Sequence, residues 1–244
     1  IDDLALLLKN STQKCLVTLM HANNEIGNLL PIEQVGELCK KYNAYFQSDT
    51  VQTMGHYAHD LSTLPVDALV AGAHKFHGPK GVGFLYVRKD KKIHPFIHGG
   101  AQERNMRGGT ENVIGIIGIA KALELAYEHM AEHQAHIRSV KKHFIEKLKS
   151  EIPGVEFNGM SEDLDQSLYT VLNVSLPPSE SNRGMLLFNL DLEGISASGG
   201  SACSSGATVG SHVLRAIGHQ AERDSVRFSF SRFNTLEEVD YTIE

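Results

Sequence analysis

The chain has 244 residues, 41% of them hydrophobic and 21% charged, with a net charge of −6. That length carries one large domain or two smaller ones, and the composition is that of an ordinary globular protein. The negative balance argues against an electrostatic nucleic-acid binder, and no apolar run is long enough to span a bilayer.

The opening stretch, residues 1–9, has too short an apolar core and the wrong flanks for a signal peptide. Residues 14–20 read as a buried strand containing Cys15. Pro31 opens a helix with Ile32, Val35, Leu38, Cys39 and Tyr42 at helical spacing. Residues 44–47 form a short strand that runs out at Asp49. Residues 66–70 form another, followed by a glycine-rich turn over 71–81, and 83–88 a third. Strands alternating with helices predict α/β layers, in which ligands gather at strand carboxyl ends.

Residues 99–112 read as a polar loop rich in Gly and Arg. A long helical region follows over 112–150. Its first half is apolar nearly all round and predicted to be buried. Its second half keeps Ile137, Val140, Phe144 and Leu148 as one stripe. Beyond Pro153 come a strand over 170–176, a helix over 184–192 and a strand over 225–231. The expected division is a large domain at 1–127 and a smaller α+β domain at 128–244. The chain starts without Met and ends inside a helical pattern, so a longer natural protein is expected.

Three cysteines with no CxxC pair exclude a disulfide framework and a zinc ribbon, and they fit the reducing cytoplasm. Cys15 and Cys39 read as core residues. Cys203 differs, lying in Ser-Gly-Gly-Ser-Ala-Cys-Ser-Ser. Small polar neighbours on both sides suit either an incidental loop cysteine or a thiol carried in and out of a pocket. His74 and His77, or His129, His133 and His136, lack a full zinc ligand set, so no metal is expected.

Lys75 lies between a strand end and a glycine-rich turn. Its amine can hold a carbonyl cofactor as a Schiff base, or it is a surface lysine. Asp49 at its own strand end suits a protonated ring nitrogen or a helix N-cap. Asn23 and Asn24 offer amides to a ligand, or simply build a turn. Arg227 in an alternating strand clamps a carboxylate or lies on a solvated sheet face.

Asn-Asn-Glu-Ile-Gly (23–27), Asp-Thr-Val-Gln (49–52), His-Lys-Phe-His-Gly-Pro-Lys-Gly (74–81), Glu-Arg-Asn-Met-Arg-Gly-Gly-Thr (103–110), the Cys203 stretch (198–205) and Val-Arg-Phe-Ser (226–229) follow in that order. This ordered set resembles the NifS-like cysteine desulfurases of the class V aminotransferase fold, over nearly the whole chain. The resemblance implies a type I pyridoxal-phosphate enzyme, with a mainly parallel sheet in the large domain and a smaller C-terminal α+β domain. It implies Lys75 as the Schiff-base lysine and Cys203 as the nucleophile that receives sulfur from L-cysteine. Asp49 would pair with the ring nitrogen and Gln52 with the ring hydroxyl. His74 and Thr110 would hold the phosphate, Thr110 from across a homodimer. Asn24 and Arg227 would hold the substrate carboxylate, with Asn24 also near the cofactor. Sulfur would pass to an acceptor or iron–sulfur scaffold protein.

The chain departs from the family pattern in two places. Gly72 stands where a phosphate-binding serine is common, and the family's N-terminal segment is missing. The competing readings are a selenocysteine lyase or other class V enzyme, a cofactor-free cysteine hydrolase built on Cys203, and a non-catalytic remnant.

Overall fold

The computed structural model describes residues 1–179, 184–199 and 211–244. Residues 1–21 and 30–130 form one compact unit, and residues 22–29 with 131–244 form a second.

The first unit opens with α1 (Asp2–Asn10), whose first turn is acidic and last turn basic, as the helix dipole favours. Then come β1 (Leu16–Met20), α2 (Ile32–Lys41), β2 (Tyr45–Asp49) and β3 (Ala68–Gly72). A 3₁₀ turn (Ala73–Phe76), β4 (Gly83–Val87), the short α3 (Gln102–Asn105) and α4 (Val113–Glu128) complete it. The strands lie in the order β1-β2-β3-β4. The first three run parallel, and β4 returns antiparallel beside β3. The predicted spacing in α2 puts Ile32, Val35 and Cys39 on one buried face. That face joins Phe46, Leu69 and Phe76 in the core. A buried side chain such as Phe46 contributes roughly 2–3 kcal/mol relative to leaving it in water. α2 also packs closely on the chain before β3. A Cβ at Gly36 would stand 2.3 Å from the Pro65 carbonyl oxygen, so only glycine fits there.

Two sequence expectations change. The strand over 14–20 begins at Leu16, with Cys15 only half-buried, and Val17 is its one buried residue among Leu16–Met20. β1 is an edge strand of the sheet among the described residues, and an apolar run does not reveal whether both faces are covered. The helical region over 112–150 breaks at His129, which caps α4. α4 is not buried all round: Ile114 is 85% exposed and Ile117 65%, while Gly115, Ile119 and Ala126 face the core.

The second unit contains α5 (Met130–Glu151), β5 (Glu156–Phe157), β6 (Val171–Leu176), α6 (Leu186–Leu192), α7 (His212–Ala216), β7 (Asp224–Ser229) and α8 (Leu236–Ile243). Its sheet is antiparallel in the order β5-β6-β7. The predicted stripe of α5 packs there, with Val140, Phe144 and Leu148 against Leu172, Val174 and Val239. Phe144 meets Phe228 edge-on at 4.8 Å between ring centres, an arrangement that adds about 1 kcal/mol beyond area burial.

Candidate functional site

In the first unit, the carboxyl ends of β2 and β3 are stitched together. Asp49 lies opposite Val70, and the Val70 carbonyl accepts from the Thr50 N–H at 3.1 Å and the Thr50 hydroxyl at 2.7 Å. Asp49 Oδ1 accepts from the Val51 N–H at 2.9 Å. It therefore caps a turn rather than a helix, with one oxygen. Among the described residues its Oδ2 has no hydrogen-bond partner.

Five residues past Val70, the 3₁₀ turn presents Lys75. His77 ends that turn in the left-handed region, φ 63°, and the Gly78 N–H closes it on the Ala73 carbonyl at 2.9 Å. A Cβ at Gly78 would sit 2.8 Å from Ala73 Cβ, so the closure requires glycine. The His56 ring donates from Nε2 to the Lys75 carbonyl at 3.0 Å, tying the turn after β2 to the turn after β3. Lys75 and His74 are exposed, and Gln52 is half-buried. Among the described residues the Lys75 ammonium, the His74 ring and the Gln52 amide make no hydrogen bond or ion pair. A Cβ at Gly72 would lie 3.3 Å from His74 Cε1, so the missing serine hydroxyl would stand beside that ring. Thr110 is exposed in the approach to α4, two residues before the Asn112 cap, and no bond joins it to Asp49 or Lys75.

Sequence reasoning missed a trio at the end of β1, in which Thr53 is buried and His21 and His59 are half-buried. His21 Nδ1 lies 2.9 Å from Thr53 Oγ1 and 3.2 Å from His59 Nε2. Burial, helped by the neighbouring His59, pushes His21 down to about 4, so its imidazole is neutral at physiological pH. Burial also lowers His59.

In the second unit, Asn23 builds a tight turn. Its Oδ1 accepts from the Glu25 and Ile26 N–H groups at 2.9 and 3.0 Å, and its carbonyl accepts from the Gly27 N–H at 3.0 Å. The turn presents Asn24, whose carbonyl accepts from Arg227 Nη1 at 2.8 Å. The Asn24 amide has no partner among the described residues. Arg227 is half-buried rather than solvated. Burial lowers its pKa, and the charge of Glu25 opposes that shift. Asn173, fully buried opposite Arg227 in β6, donates from Nδ2 to the Glu25 carbonyl at 3.0 Å. Sequence reasoning did not single out Glu25 or Asn173. An acid directly after two asparagines was the only signal. Cys203 lies outside the described residues.

Among the described residues, the first unit offers an amine and a carboxylate oxygen without partners, and the second a bound guanidinium beside an amide without a partner. The family model described as aminotransferase class-V matches residues 1–242. Cysteine desulfurase IscS of Dictyoglomus turgidum is 44% identical over 245 residues, covering 100% of this chain and 60% of that protein. The IscS protein of Methanosarcina thermophila is 42% identical, with 100% of this chain and 59% of that protein covered. The structure of a NifS-like protein from Rickettsia africae superposes with a TM-score of 0.87 at 31% identity, over 99% of this chain and 64% of that one. The chain spans about 60% of the length of the curated relatives it matches. A likeness that runs from the first residues to the last, in sequence and in fold, makes this chain a member of the class-V aminotransferase family.

Proposed function

We propose that the intact protein is a pyridoxal-phosphate-dependent cysteine desulfurase. It converts L-cysteine to L-alanine and leaves a persulfide on Cys203, and the sulfur then passes to an acceptor or iron–sulfur scaffold protein. The observation that carries this reading is the pair of unspent groups on stitched strand ends, the Lys75 ammonium and Asp49 Oδ2. The names of the 44% identical relatives point the same way.

The residues fit the cofactor chemically. Lys75 would hold its aldehyde carbon, Asp49 Oδ2 its ring N–H, Gln52 its hydroxyl, and His74 and Thr110 its phosphate. Bound there, the cofactor supplies an electron sink for the substrate Cα. Arg227 and the Asn24 amide orient the substrate carboxylate. The Lys75 amine would take the Cα proton. The Cys203 thiolate forms an S–S bond to the substrate sulfur as the Cβ–S bond breaks. The electron pair stays on carbon, which a proton then completes to the methyl group of alanine. The exposed aliphatic face of α4, directly after Thr110, supports a homodimer in which Thr110 serves the neighbouring subunit. The cysteine pattern supports work in the reducing cytoplasm.

The test is spectroscopic and chemical. The full-length protein with pyridoxal phosphate gains a visible band that borohydride bleaches, and it releases alanine from L-cysteine. Lys75→Ala abolishes both. A full-length protein without the band overturns the reading and favours a cofactor-free hydrolase. Selenide released in preference to sulfide from competing substrates favours a selenocysteine lyase.

A further inference from the structure

Cys203 lies outside the described residues, yet both approaches to it are described. Five residues before it, Ser198 pairs with Arg227 in both directions: the Arg227 N–H donates to the Ser198 carbonyl at 2.7 Å, and the Ser198 N–H donates back at 3.2 Å. Eight residues after it, the Ser211 hydroxyl donates to Glu25 Oε2 at 2.5 Å. Ser211 Oγ also accepts from the Leu214 N–H at 3.1 Å and so caps α7.

Glu25 is 3% exposed. A carboxylate that deep costs several kcal/mol unless it is paired and hydrogen-bonded. Its backbone is immobilised by Asn23 and Asn173, so its side chain has a fixed origin. The charge stabilises the Arg227 guanidinium and gives Ser211 a charged acceptor, roughly twice as strong as a neutral one. A turn needing only shape would be served by an apolar residue at that position.

We propose that Glu25 is a positioning residue: through Ser211 it fixes the downstream root of the Cys203 segment in register with the Asn24–Arg227 pair. The inference rests on the desulfurase reading of Asn24, Arg227 and Cys203. Its consequence is that thiol chemistry and carboxylate binding can be separated by one hydroxyl.

The test uses the cofactor-loaded full-length protein. L-alanine occupies the carboxylate site without needing the thiol, so its affinity, read from cofactor absorbance, reports Asn24 and Arg227. Single-turnover mass spectrometry of the Cys203 persulfide reports the thiol. Ser211→Ala keeps L-alanine affinity within about two-fold and slows persulfide formation by about ten-fold or more. Ser211→Thr, which keeps the hydroxyl, restores the rate to within about three-fold. Glu25→Gln added to Ser211→Ala slows persulfide formation no further than it weakens L-alanine binding, because its contact to Ser211 is already gone and only its charge on Arg227 is lost. A wild-type rate in Ser211→Ala, or rate and affinity falling together by one factor, overturns the proposal.

Iodoacetamide labelling gives a readout without substrate. Cys203 in Ser211→Ala alkylates about three-fold or more differently from wild type, Cys39 does not change, and Ser211→Thr reverts it. That result with no alanine formed from cysteine sinks the desulfurase reading and leaves the tether standing. Equal alkylation in all three proteins overturns the tether itself.

Discussion

The strand-end cluster around Lys75 and the turn around Asn24 handle polar groups in opposite ways. At Lys75 and His74 the side chains are exposed and, among the described residues, make no hydrogen bond or ion pair. At Asn24 nearly every group is already bonded: Asn23 to two backbone N–H groups, Glu25 to Ser211 and Asn173, Arg227 to Asn24. The lesson concerns where order comes from. A buried network positions its charges before any ligand arrives, whereas an open cluster relies on the ligand to complete it.

The contrast predicts different responses to conservative change. The largest effect is at Asp49. Asp49→Asn keeps an acceptor for the Val51 N–H, so urea denaturation shows stability within about 0.5 kcal/mol of wild type. On the proposed reading it removes the anion that would keep the cofactor's ring nitrogen protonated, and kcat for alanine formation by the full-length protein falls by about 10²–10³. A loss of stability matching the loss of rate would break the comparison. Next comes Arg227→Lys. An ammonium replaces the planar fork and the contact to the Asn24 carbonyl, so on the proposed reading KM for L-cysteine rises about 10- to 100-fold in the full-length protein. The cofactor band stays on that reading, since Arg227 itself is assigned to the substrate carboxylate.

The smallest effect sharpens the buried side. Lys141 in α5 is 0% exposed and donates to Ser167 Oγ at 2.8 Å and the Leu168 carbonyl at 3.2 Å. Burial first, then the Arg138 charge, pushes its pKa down to about 7, against a weaker pull from Asp163. In the unfolded chain this amine holds its proton up to its ordinary value of 10.5. Between those two pKa values the unfolded state binds more protons, so raising the pH favours the folded state. The wild type therefore gains on the order of 3 kcal/mol from this group between pH 7 and 10. Lys141→Met flattens that slope in urea denaturation across the range. Ser167 and Leu168 pair with the chain before α2, Leu168 N–H to the Gly27 carbonyl at 2.8 Å, so Lys141 also braces the Asn24 turn.

Much of the strand-end cluster was legible because its signals are local. A short apolar run ending in Asp, and another ending in a glycine-rich turn with Lys, announce strand ends by composition alone. The second cluster was legible only as separate pieces. Asn24 and Arg227 stand 203 residues apart, and nothing at either position names the other. The His21–Thr53–His59 trio was invisible for the same reason. α4 and β1 looked fully buried because apolar content reports what can be covered, not what is covered.

The sequence by itself determined the kinds of elements, most of their order, and the placement of Asp49 and Lys75 where strands run out, because backbone period and turn chemistry act over a few residues. Only the tertiary structure decided that residues 22–29 belong with the second unit, that Glu25 is sealed beneath Ser211, and that Lys141 is buried. Burial and hydrogen-bond partnership depend on segments distant along the chain, and no local pattern encodes which of them arrives.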